Sequence, residues 1–399
     1  MKKELMGISI FVLIFTLLIP CVGLAQKEPI KIGVLTAMSG RHAPNGMMYV
    51  KGYQLYEEQV NQRGGILGRP VKVIYRDDKT IQTHAVTEAE KMITEDKVVA
   101  FAQGGYITNI SEVVLPICEK YKVPVINVGG YGDLVMSQGY QYTFLQVMPS
   151  SYAGVTVIDF AVKELGAKTI GLAYLEDAYC VAVAEAAKEQ AKKLGVKMVT
   201  FDSYDSKAVD LRPVILKAKA ANPDVFFHVA VIHDAVLGVR QMAELNFCPK
   251  AIIGQVGYTI PSFLEGLGKL SNDLFTVSNW SKELKTPGNE AFVRDFVKKF
   301  NSQPSYHSAL GWSAMQIFEE AMTKGNTTDP VKLRDAIAKV QMSTVMGPLQ
   351  FTNWGKFTNV NNRPFFILQI QKGGNYAVVS PKDLATAKAV FPIPKWSEK

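Results

Sequence analysis

Residues 31–70, KIGVLTAMSGRHAPNGMMYVKGYQLYEEQVNQRGGILGRP, contain the pattern that decides the fold. An apolar run of strand length ends in a Ser-Gly turn, and a helical pattern follows from Gly46 to about Gln62. A Gly-Gly pair closes that helix, and a second strand is predicted over Val71–Tyr75. This is a β-α-β unit, and the turn Ser39–Gly46 lies at the carboxyl end of its first strand. Because ligands bind at that edge in open α/β sheets, the turn is a first candidate for a binding site.

The rest of the chain repeats this alternation of strands and helices in two series. The first series extends to about Val128, and its short apolar runs are typical of a parallel sheet that is covered on both faces. Tyr140–Pro149 is irregular and is predicted to cross into a second series, which runs from Tyr152 to Gly254. Short alternating runs after Gly347 indicate β-hairpins. The sequence therefore predicts two α/β lobes around a small-molecule cleft.

Length and composition are those of a globular protein with two domains. The chain has 399 residues, more than one hydrophobic core usually contains, and 48% of them are hydrophobic while 20% are charged. The formal net charge is +8, and removal of residues 1–25, with two lysines and one glutamate, leaves +7. The basic residues are spread along the chain, without an Arg/Lys block or an aromatic-basic motif. This pattern indicates a mildly basic solvated surface and no nucleic-acid partner.

The N-terminus has the pattern of an export signal. A positively charged start precedes the apolar segment Gly7–Pro20, which is too short to span a bilayer, and small residues lead up to Ala25. We expect a signal peptide over residues 1–25, cleaved after Ala25, and export to the periplasm. The alternative is a lipoprotein anchored at Cys21, although Pro20 directly before that cysteine is a poor fit to a lipidation site.

The spacing of cysteine and histidine gives no sign of a metal or redox site. Cys118, Cys180 and Cys248 remain after cleavage and show no CxxC spacing. Because their number is odd, at least one thiol has no intramolecular partner, and whether the other two pair stays open. The histidines are isolated except for His228 and His233, which lack a carboxylate at metal-ligand spacing. We therefore expect neither a metal nor a cofactor.

Motifs of the common α/β enzymes are missing from the sequence. The chain has no G-x-G-x-x-G after its first strand, no G-x-x-x-x-G-K-[ST] and no G-x-S-x-G. Asp77-Asp78 follows a predicted strand end, but a solvated or helix-capping pair explains these carboxylates better than acid/base chemistry. The sequence therefore favours a binding protein over an enzyme.

The turns at the predicted strand ends are rich in glycine, tyrosine and hydroxyl groups. Gly104–Thr108 precedes a helix, whose free backbone N–H groups suit a carboxylate. Any single turn is explained equally well by local geometry, but their convergence at strand ends favours a site. Tyrosine at a pocket edge adds apolar area and one hydrogen bond at low entropic cost. The candidate residues in these turns are Asn45, Tyr106, Thr108, Gly129, Gly130, Tyr131, Tyr179 and Gln255.

Five stretches carry a common pattern. They are IKIGVLTAMSG (30–40), VNQRGGILGRPVKVIYRDD (60–78), YKVPVINVGG (121–130), ANPDVFFHVA (221–230) and TVMGPLQF (344–351). Together they resemble the periplasmic leucine/isoleucine/valine-binding family of ABC-transporter solute receptors. The resemblance covers essentially the whole mature chain. It implies the type I periplasmic binding fold, with two Rossmann-like lobes joined by a three-strand hinge and the ligand in the interlobe cleft.

The implied lobes are discontinuous in sequence. The resemblance predicts crossings near Gln146, near Phe275 and over Phe351–Asn353. The resulting division is residues 26–147 plus 276–352 for lobe 1 and residues 148–275 plus 353–389 for lobe 2. The tail, residues 390–399, contains two prolines and is predicted to be loose.

The resemblance also assigns ligand contacts, position by position. They fall on Thr108, Gly129 and Tyr131 for the carboxylate, Asn45 in the first turn, and Tyr179 and Tyr306 as aromatic contacts. Amino-acid-binding members carry an acidic residue in the loop that matches Gly254–Gly257, where Gln255 stands here. An ammonium buried without a carboxylate is costly. An amine-free aromatic or aliphatic acid therefore fits better than an α-amino acid, unless Glu176, Asp177 or Asp234 supplies the charge.

The implied function is that of an exported solute-binding receptor. It serves an ABC uptake transporter of the branched-chain amino-acid type and traps a small carboxylate ligand by hinge closure. The expected partners are that ligand and a permease in the inner membrane, and a monomer is expected. The alternatives are a ligand-sensing receptor subunit for a regulator, on the same fold, and an exported hydrolase, for which no nucleophile–base motif is recognisable.

Overall fold

The structure is a computed structural model, and it describes residues 27–399. The predicted signal peptide and Cys21 lie outside the described residues. None of the helices in the described part of the chain is long and apolar enough to cross a membrane.

Strands and helices alternate along most of residues 27–399. The strands are β1 (Ile30–Thr36), β2 (Val71–Asp77), β3 (Ala100–Gly104), β4 (Val125–Asn127), β5 (Thr143–Leu145), β6 (Thr169–Leu175), β7 (Lys197–Tyr204), β8 (Val225–Val229), β9 (Ala251–Gly254), β10 (Phe275–Ser278), β11 (Gln341–Thr344), β12 (Gly347–Trp354), β13 (Phe357–Asn361), β14 (Phe366–Gln371) and β15 (Asn375–Ser380). The helices are α1 (Ala43–Gln62), α2 (Gln82–Thr94), α3 (Thr108–Tyr121), α4 (Asp133–Met136), α5 (Ser151–Asp159), α6 (Ala178–Lys193), α7 (Arg212–Ala221), α8 (Ile232–Glu244), α9 (Pro261–Leu267), α10 (Asn289–Phe300), α11 (Tyr306–Gly325) and α12 (Pro330–Ala338).

The strands form two sheets, one in each lobe. The first has the order β11-β12-β13-β5-β4-β3-β1-β2, and the second has the order β15-β14-β10-β9-β8-β6-β7. The strands of the β-α units pair in parallel, whereas the late hairpins pair antiparallel. The predicted fold of two α/β lobes is confirmed. Parallel pairing brings the carboxyl ends of β1, β3 and β4 to one edge of the first sheet and those of β6, β8 and β9 to one edge of the second.

Close packing of α1 on α11 positions the start of α11 beside the edge of the first sheet. A Cβ atom on Gly52 would lie only 2.2 Å from the carbonyl oxygen of Ser308, so the two helices approach through a position without a side chain. Tyr49 and Tyr53, on the same helix α1, are buried and donate their hydroxyls to the carbonyl oxygens of Val128 and Ala102. These bonds tie α1 to the neighbourhood of the strand ends.

Two of the three chain crossings differ from the predicted division. The first crossing follows Leu145, next to the predicted position. Strand β10, however, pairs with β9 and β14 and stays in the second sheet, so the chain returns to lobe 1 only after Ser278. Strand β13 pairs with β12 and β5 in the first sheet, so the last crossing follows Asn361 and not Asn353. The physical reason is the β12–β13 hairpin, which must close around the turn at Gly355 before the chain can leave the sheet.

The C-terminal tail, which the sequence predicted to be loose, is docked on lobe 2. The side chain of Gln369 exchanges two hydrogen bonds with the backbone of Val390, at 2.8 and 2.9 Å. The N–H of Ile393 donates to the carbonyl of Lys250 at 2.9 Å, and the indole of Trp396 donates to that of Phe247 at 2.8 Å. Prolines therefore mark an extended segment here rather than a disordered one.

We expect Ile393→Ala to lower the thermal stability of the protein. Ile393 is buried in the core of lobe 2, and truncation of a buried isoleucine to alanine costs about 2–5 kcal/mol. The melting temperature, measured by calorimetry, should fall by about 5 °C or more. Leu384→Ala is the matched control because that side chain is exposed. Equal melting temperatures for Ile393→Ala and wild type would contradict the docked tail.

Candidate functional site

A cavity of about 460 Å³ lies between the two lobes, at the carboxyl ends of the sheet strands. Residues from the exit turns of β1, β3 and β4 line it on one side, and residues that follow β6 and β8 line it on the other. Seven of the nine residues singled out in the sequence lie in its wall: Tyr106, Thr108, Gly129, Gly130, Tyr131, Tyr179 and Tyr306. The strand-exit turns therefore converge on one cavity.

Asn45 and Gln255 do not line the cavity but support residues that do. Asn45 is buried in α1, and its Nδ2 atom lies 3.2 Å from Nε2 of His307, which is in the wall. Gln255 is buried behind Tyr179, and its Nε2 atom donates to the Tyr179 hydroxyl at 2.5 Å. Both positions were predicted as ligand contacts. In the structure, each instead contacts a residue of the cavity wall.

The lobe-1 side of the cavity offers backbone hydrogen-bond donors. Helix α3 begins at Thr108 without a side-chain cap, and the N–H groups of Thr108 and Asn109 have no acceptor within residues 27–399. The Thr108 hydroxyl accepts from the N–H of Gly132 at 3.2 Å, which ties the start of α3 to the exit turn of β4. An uncapped helix N-terminus that faces a cavity suits a carboxylate, because its N–H groups and dipole both favour negative charge.

Tyrosines from both lobes form the apolar wall. The Tyr131 ring of lobe 1 meets the Tyr179 ring of lobe 2 edge to face, with centroids 5.5 Å apart. Tyr306 stacks on His307 at 4.0 Å, and Tyr49 packs edge to face on the same imidazole at 5.0 Å. Burial raises the pKa of these tyrosine hydroxyls, so they stay protonated at neutral pH and can donate hydrogen bonds.

The sequence model of a family described as "Periplasmic binding protein" matches residues 29–375 of the chain. The chain belongs to this family. The resemblance seen in the sequence motifs is thereby confirmed. The match includes both sheets up to the start of β15 and all the turns that line the cavity.

Relatives of this periplasmic binding protein are similar over nearly their whole lengths. Leu/Ile/Val-binding protein homolog 8 of Brucella melitensis is 26% identical over 382 residues, which cover 92% of this chain and 94% of the relative. The branched-chain amino acid transporter substrate-binding protein LivJ of Streptococcus pneumoniae, solved with isoleucine, superposes with a TM-score of 0.80 at 21% identity and covers 92% of this chain and 100% of LivJ. A solute-binding protein of an ABC transporter from R. palustris, solved with benzoate, gives 0.77 at 20% identity over 91% and 97% of the two chains. Of these three, the R. palustris protein is described as the solute-binding protein of an ABC transporter.

An ion pair beside the cavity joins the two lobes of the protein. Nη2 of Arg41, in the exit turn of β1, lies 2.7 Å from both carboxylate oxygens of Asp234 at the start of α8. The guanidinium of Arg41 also donates to the carbonyl of Ser206, in the loop after β7. Burial raises the pKa of Asp234 to about 6, while Arg41 acts in the opposite direction. Contact of one guanidinium nitrogen with both oxygens and a pKa below 7 indicate an ionised carboxylate at neutral pH.

Arg41 and His307 are wall residues that the sequence reasoning missed. Arg41 is the only charged residue in the turn Ser39–Gly46. A single charge in a strand-exit turn is the sequence feature that could have marked it as a site residue. His307 directly follows Tyr306, and burial lowers its pKa to about 3, so its imidazole is neutral. No sequence signal distinguished this histidine, because its contacts with Asn45 and Tyr49 come from the packing of α11 on α1.

The carboxylates near the cavity are each engaged by protein groups. Glu176 accepts from the hydroxyl of Ser203 at 2.5 Å, and Asp177 caps α6 by accepting from the N–H of Cys180 at 2.7 Å. Asp234 is held by Arg41, as described above. Within residues 27–399, no group of three or more His, Cys, Asp or Glu side chains is arranged to hold a metal ion. The arrangement can bind and enclose a small molecule through hydrogen bonds and aromatic contacts.

Proposed function

We propose that the protein is the extracytoplasmic receptor of an ABC importer and that it traps a small carboxylate ligand between its lobes. The cavity carries this proposal, because it combines uncapped helix N–H donors on lobe 1 with tyrosines from both lobes. A cavity with these features suits a ligand with one anionic group and an apolar body. Export to the periplasm, action as a monomer and docking on a permease are parts of the same proposal.

Family membership supports the general role, and two relatives support the ligand class. LivJ was solved with isoleucine and the R. palustris protein with benzoate, and both compounds carry a carboxylate. Contacts between Tyr131 and Tyr179 and between Arg41 and Asp234 cross the cleft. Such contacts form only when the lobes are closed, so a ligand that bridges the lobes would shift the population toward this state.

The proposed ligand is an amine-free acid rather than an α-amino acid. Gln255 carries no charge, and Glu176, Asp177 and Asp234 are engaged by a hydroxyl, a helix N-terminus and a guanidinium. A ligand ammonium would therefore have to share a carboxylate that already accepts from a protein donor, whereas a neutral or oxygen-bearing substituent needs no carboxylate.

A thermal-shift screen of residues 26–399 tests the proposed function. One panel contains leucine-like amino acids, and the other contains matched aliphatic and aromatic acids without the amine. A ligand at 100 times its dissociation constant should add about 2.7 kcal/mol to the free energy of unfolding. Shifts with the amine-free acids alone would support the proposal. Shifts with leucine or valine alone would contradict the amine-free ligand, and no shift with either panel would contradict carboxylate binding.

Thr108→Val is expected to weaken binding of the best acid about tenfold, because it removes the hydroxyl that accepts from Gly132 and holds two donor turns together. Valine keeps the shape of threonine, so the fold should persist. Isothermal titration gives the dissociation constants. Thr87→Val, at an exposed position in α2, is the matched control. Equal affinities for Thr108→Val and wild type would exclude a role for this hydroxyl.

A further inference from the structure

The hydrogen bonds of Gln255 fix the orientation of its side-chain amide. The backbone N–H of Val256 contacts one end of that amide, and a backbone N–H can only donate. That end must therefore be the carbonyl oxygen, Oε1. The opposite end, Nε2, can only donate, and it lies 2.5 Å from the hydroxyl oxygen of Tyr179.

The orientation of Gln255 sets the polarity of the Tyr179 hydroxyl. Because Tyr179 Oη accepts a hydrogen bond from Gln255, its own hydrogen remains available to donate elsewhere. Tyr179 lines the cavity, and its ring contacts that of Tyr131 across the cleft. Hydrogen bonding from Tyr179 works against the rise in the pKa of Tyr131 and adds to the rise in the pKa of Tyr179, so the Tyr179 hydroxyl is the donor of this pair and its hydrogen points toward lobe 1.

A chain of contacts connects Tyr179 to the end of the cavity that suits the ligand carboxylate. Its partner Tyr131 directly follows Gly129 and Gly130, and that turn is tied to the start of α3 through the Thr108–Gly132 hydrogen bond. A ligand held at the α3 N-terminus would therefore present the atoms beside its carboxylate to Tyr179.

We infer that Gln255 is a positioning residue that makes Tyr179 a hydrogen-bond donor and thereby selects acids with an oxygen acceptor, and not an ammonium, beside the carboxylate. The chemical class is 2-oxo and 2-hydroxy acids. This inference rests on the proposed function and goes beyond it, because it names the substituent and the residue that reads it. An ammonium at this place would meet a donor hydroxyl, and both groups would lack an acceptor.

Isothermal titration with matched acids tests the inference. The probes are 4-methyl-2-oxopentanoate, 2-hydroxy-4-methylpentanoate and leucine, with the corresponding phenylpropanoate series for an aromatic body. Wild type should bind the 2-oxo and 2-hydroxy acids about tenfold or more tightly than the 2-amino acid. In Gln255→Glu, the new carboxylate accepts the hydrogen of the Tyr179 hydroxyl. The oxygen of Tyr179 then faces the ligand as a hydrogen-bond acceptor. The ratio of the 2-amino to the 2-oxo dissociation constant should then fall at least about tenfold.

Two further variants separate polarity from structure. Tyr179→Phe keeps the ring and removes the donor, so it should weaken the 2-oxo acid about tenfold and the 2-amino acid much less. Gln138→Glu adds the same charge at an exposed position of lobe 1 and should leave every ratio unchanged. A purely structural role of Gln255 would weaken all probes equally.

The outcomes distinguish the inference from the proposed function. Binding of the acids with a ratio that Gln255→Glu does not change would overturn the inference and leave the proposed function standing. Tighter binding of leucine than of its 2-oxo analogue by wild type would also overturn it. Failure of wild type to bind any of the probes would contradict both.

Discussion

Gly130→Ala is expected to weaken binding of the best carboxylate ligand at least about a hundredfold. Gly130 has a φ of +57°, and a Cβ atom there would lie 2.1 Å from the hydroxyl oxygen of Ser111 and 2.7 Å from the carbonyl oxygen of Ile107. The second of these is backbone at the start of α3 and cannot turn aside. The exit turn of β4 must therefore move away from the helix N-terminus, and the donors of the two turns no longer converge.

Gly139→Ala is the matched control for this variant. Gly139 has a φ of +75°, but a Cβ atom there would meet no atom within 4 Å. Both variants therefore carry the strain of a side chain in the left-handed region, about 1–2 kcal/mol, and only Gly130→Ala adds the clash. Titration of each purified variant with the acid that wild type binds best gives the comparison. Similar affinities for the two variants would show that the turn at Gly130 does not shape the site.

Arg41→Met is expected to weaken ligand binding about a hundredfold at pH 7.5. It removes the cation that pairs with Asp234, whose side chain is fully buried in the closed protein. Removal of one partner of a buried ion pair costs about 3–5 kcal/mol. Because the side chain of Arg41 is 30% exposed, we expect a cost at the lower end of this range. Because the pair joins the two lobes, the loss should fall on the closed state and hence on affinity.

The effect of Arg41→Met should shrink as the pH falls. Burial already raises the pKa of Asp234 to about 6 although Arg41 lowers it, so the loss of Arg41 moves the pKa of Asp234 higher still. A raised pKa in the closed state means that closure takes up a proton, so acid favours closure and a rise in pH opposes it. Titrations at pH 5.5 and 7.5 check this sign. The control is Arg76→Met, since Arg76 pairs with Asp96 inside lobe 1. An equal loss of affinity at both pH values would contradict the idea that Arg41→Met leaves the charge of Asp234 without a partner.

Local patterns in the sequence predict most of the secondary structure and the edge where the site lies. The alternation of short apolar runs with helical periods predicts strands such as Val71–Tyr75, which the structure has as Val71–Asp77. Turns with Gly, Tyr and Thr at strand ends predict six residues of the cavity wall, because parallel strands necessarily end at one edge of a sheet, and the family resemblance adds Tyr306. The late hairpins were predicted, but the positions of two crossings and the docking of the tail differ from the prediction, because strand pairing and docking depend on partners distant in the chain.

The amino-acid sequence by itself determined that this protein has two α/β lobes, that its strand-exit turns are rich in glycine, tyrosine and hydroxyl groups, and that the loop at Gln255 lacks a charge. Only the tertiary structure decided which of those residues meet. Arg41 and Asp234 are 193 residues apart, and Gln255 meets Tyr179 across 76 residues, so no sequence spacing relates them. The physical reason is that side chains meet according to how the two lobes pack and close, and the direction of a hydrogen bond depends on every partner that the group has at once.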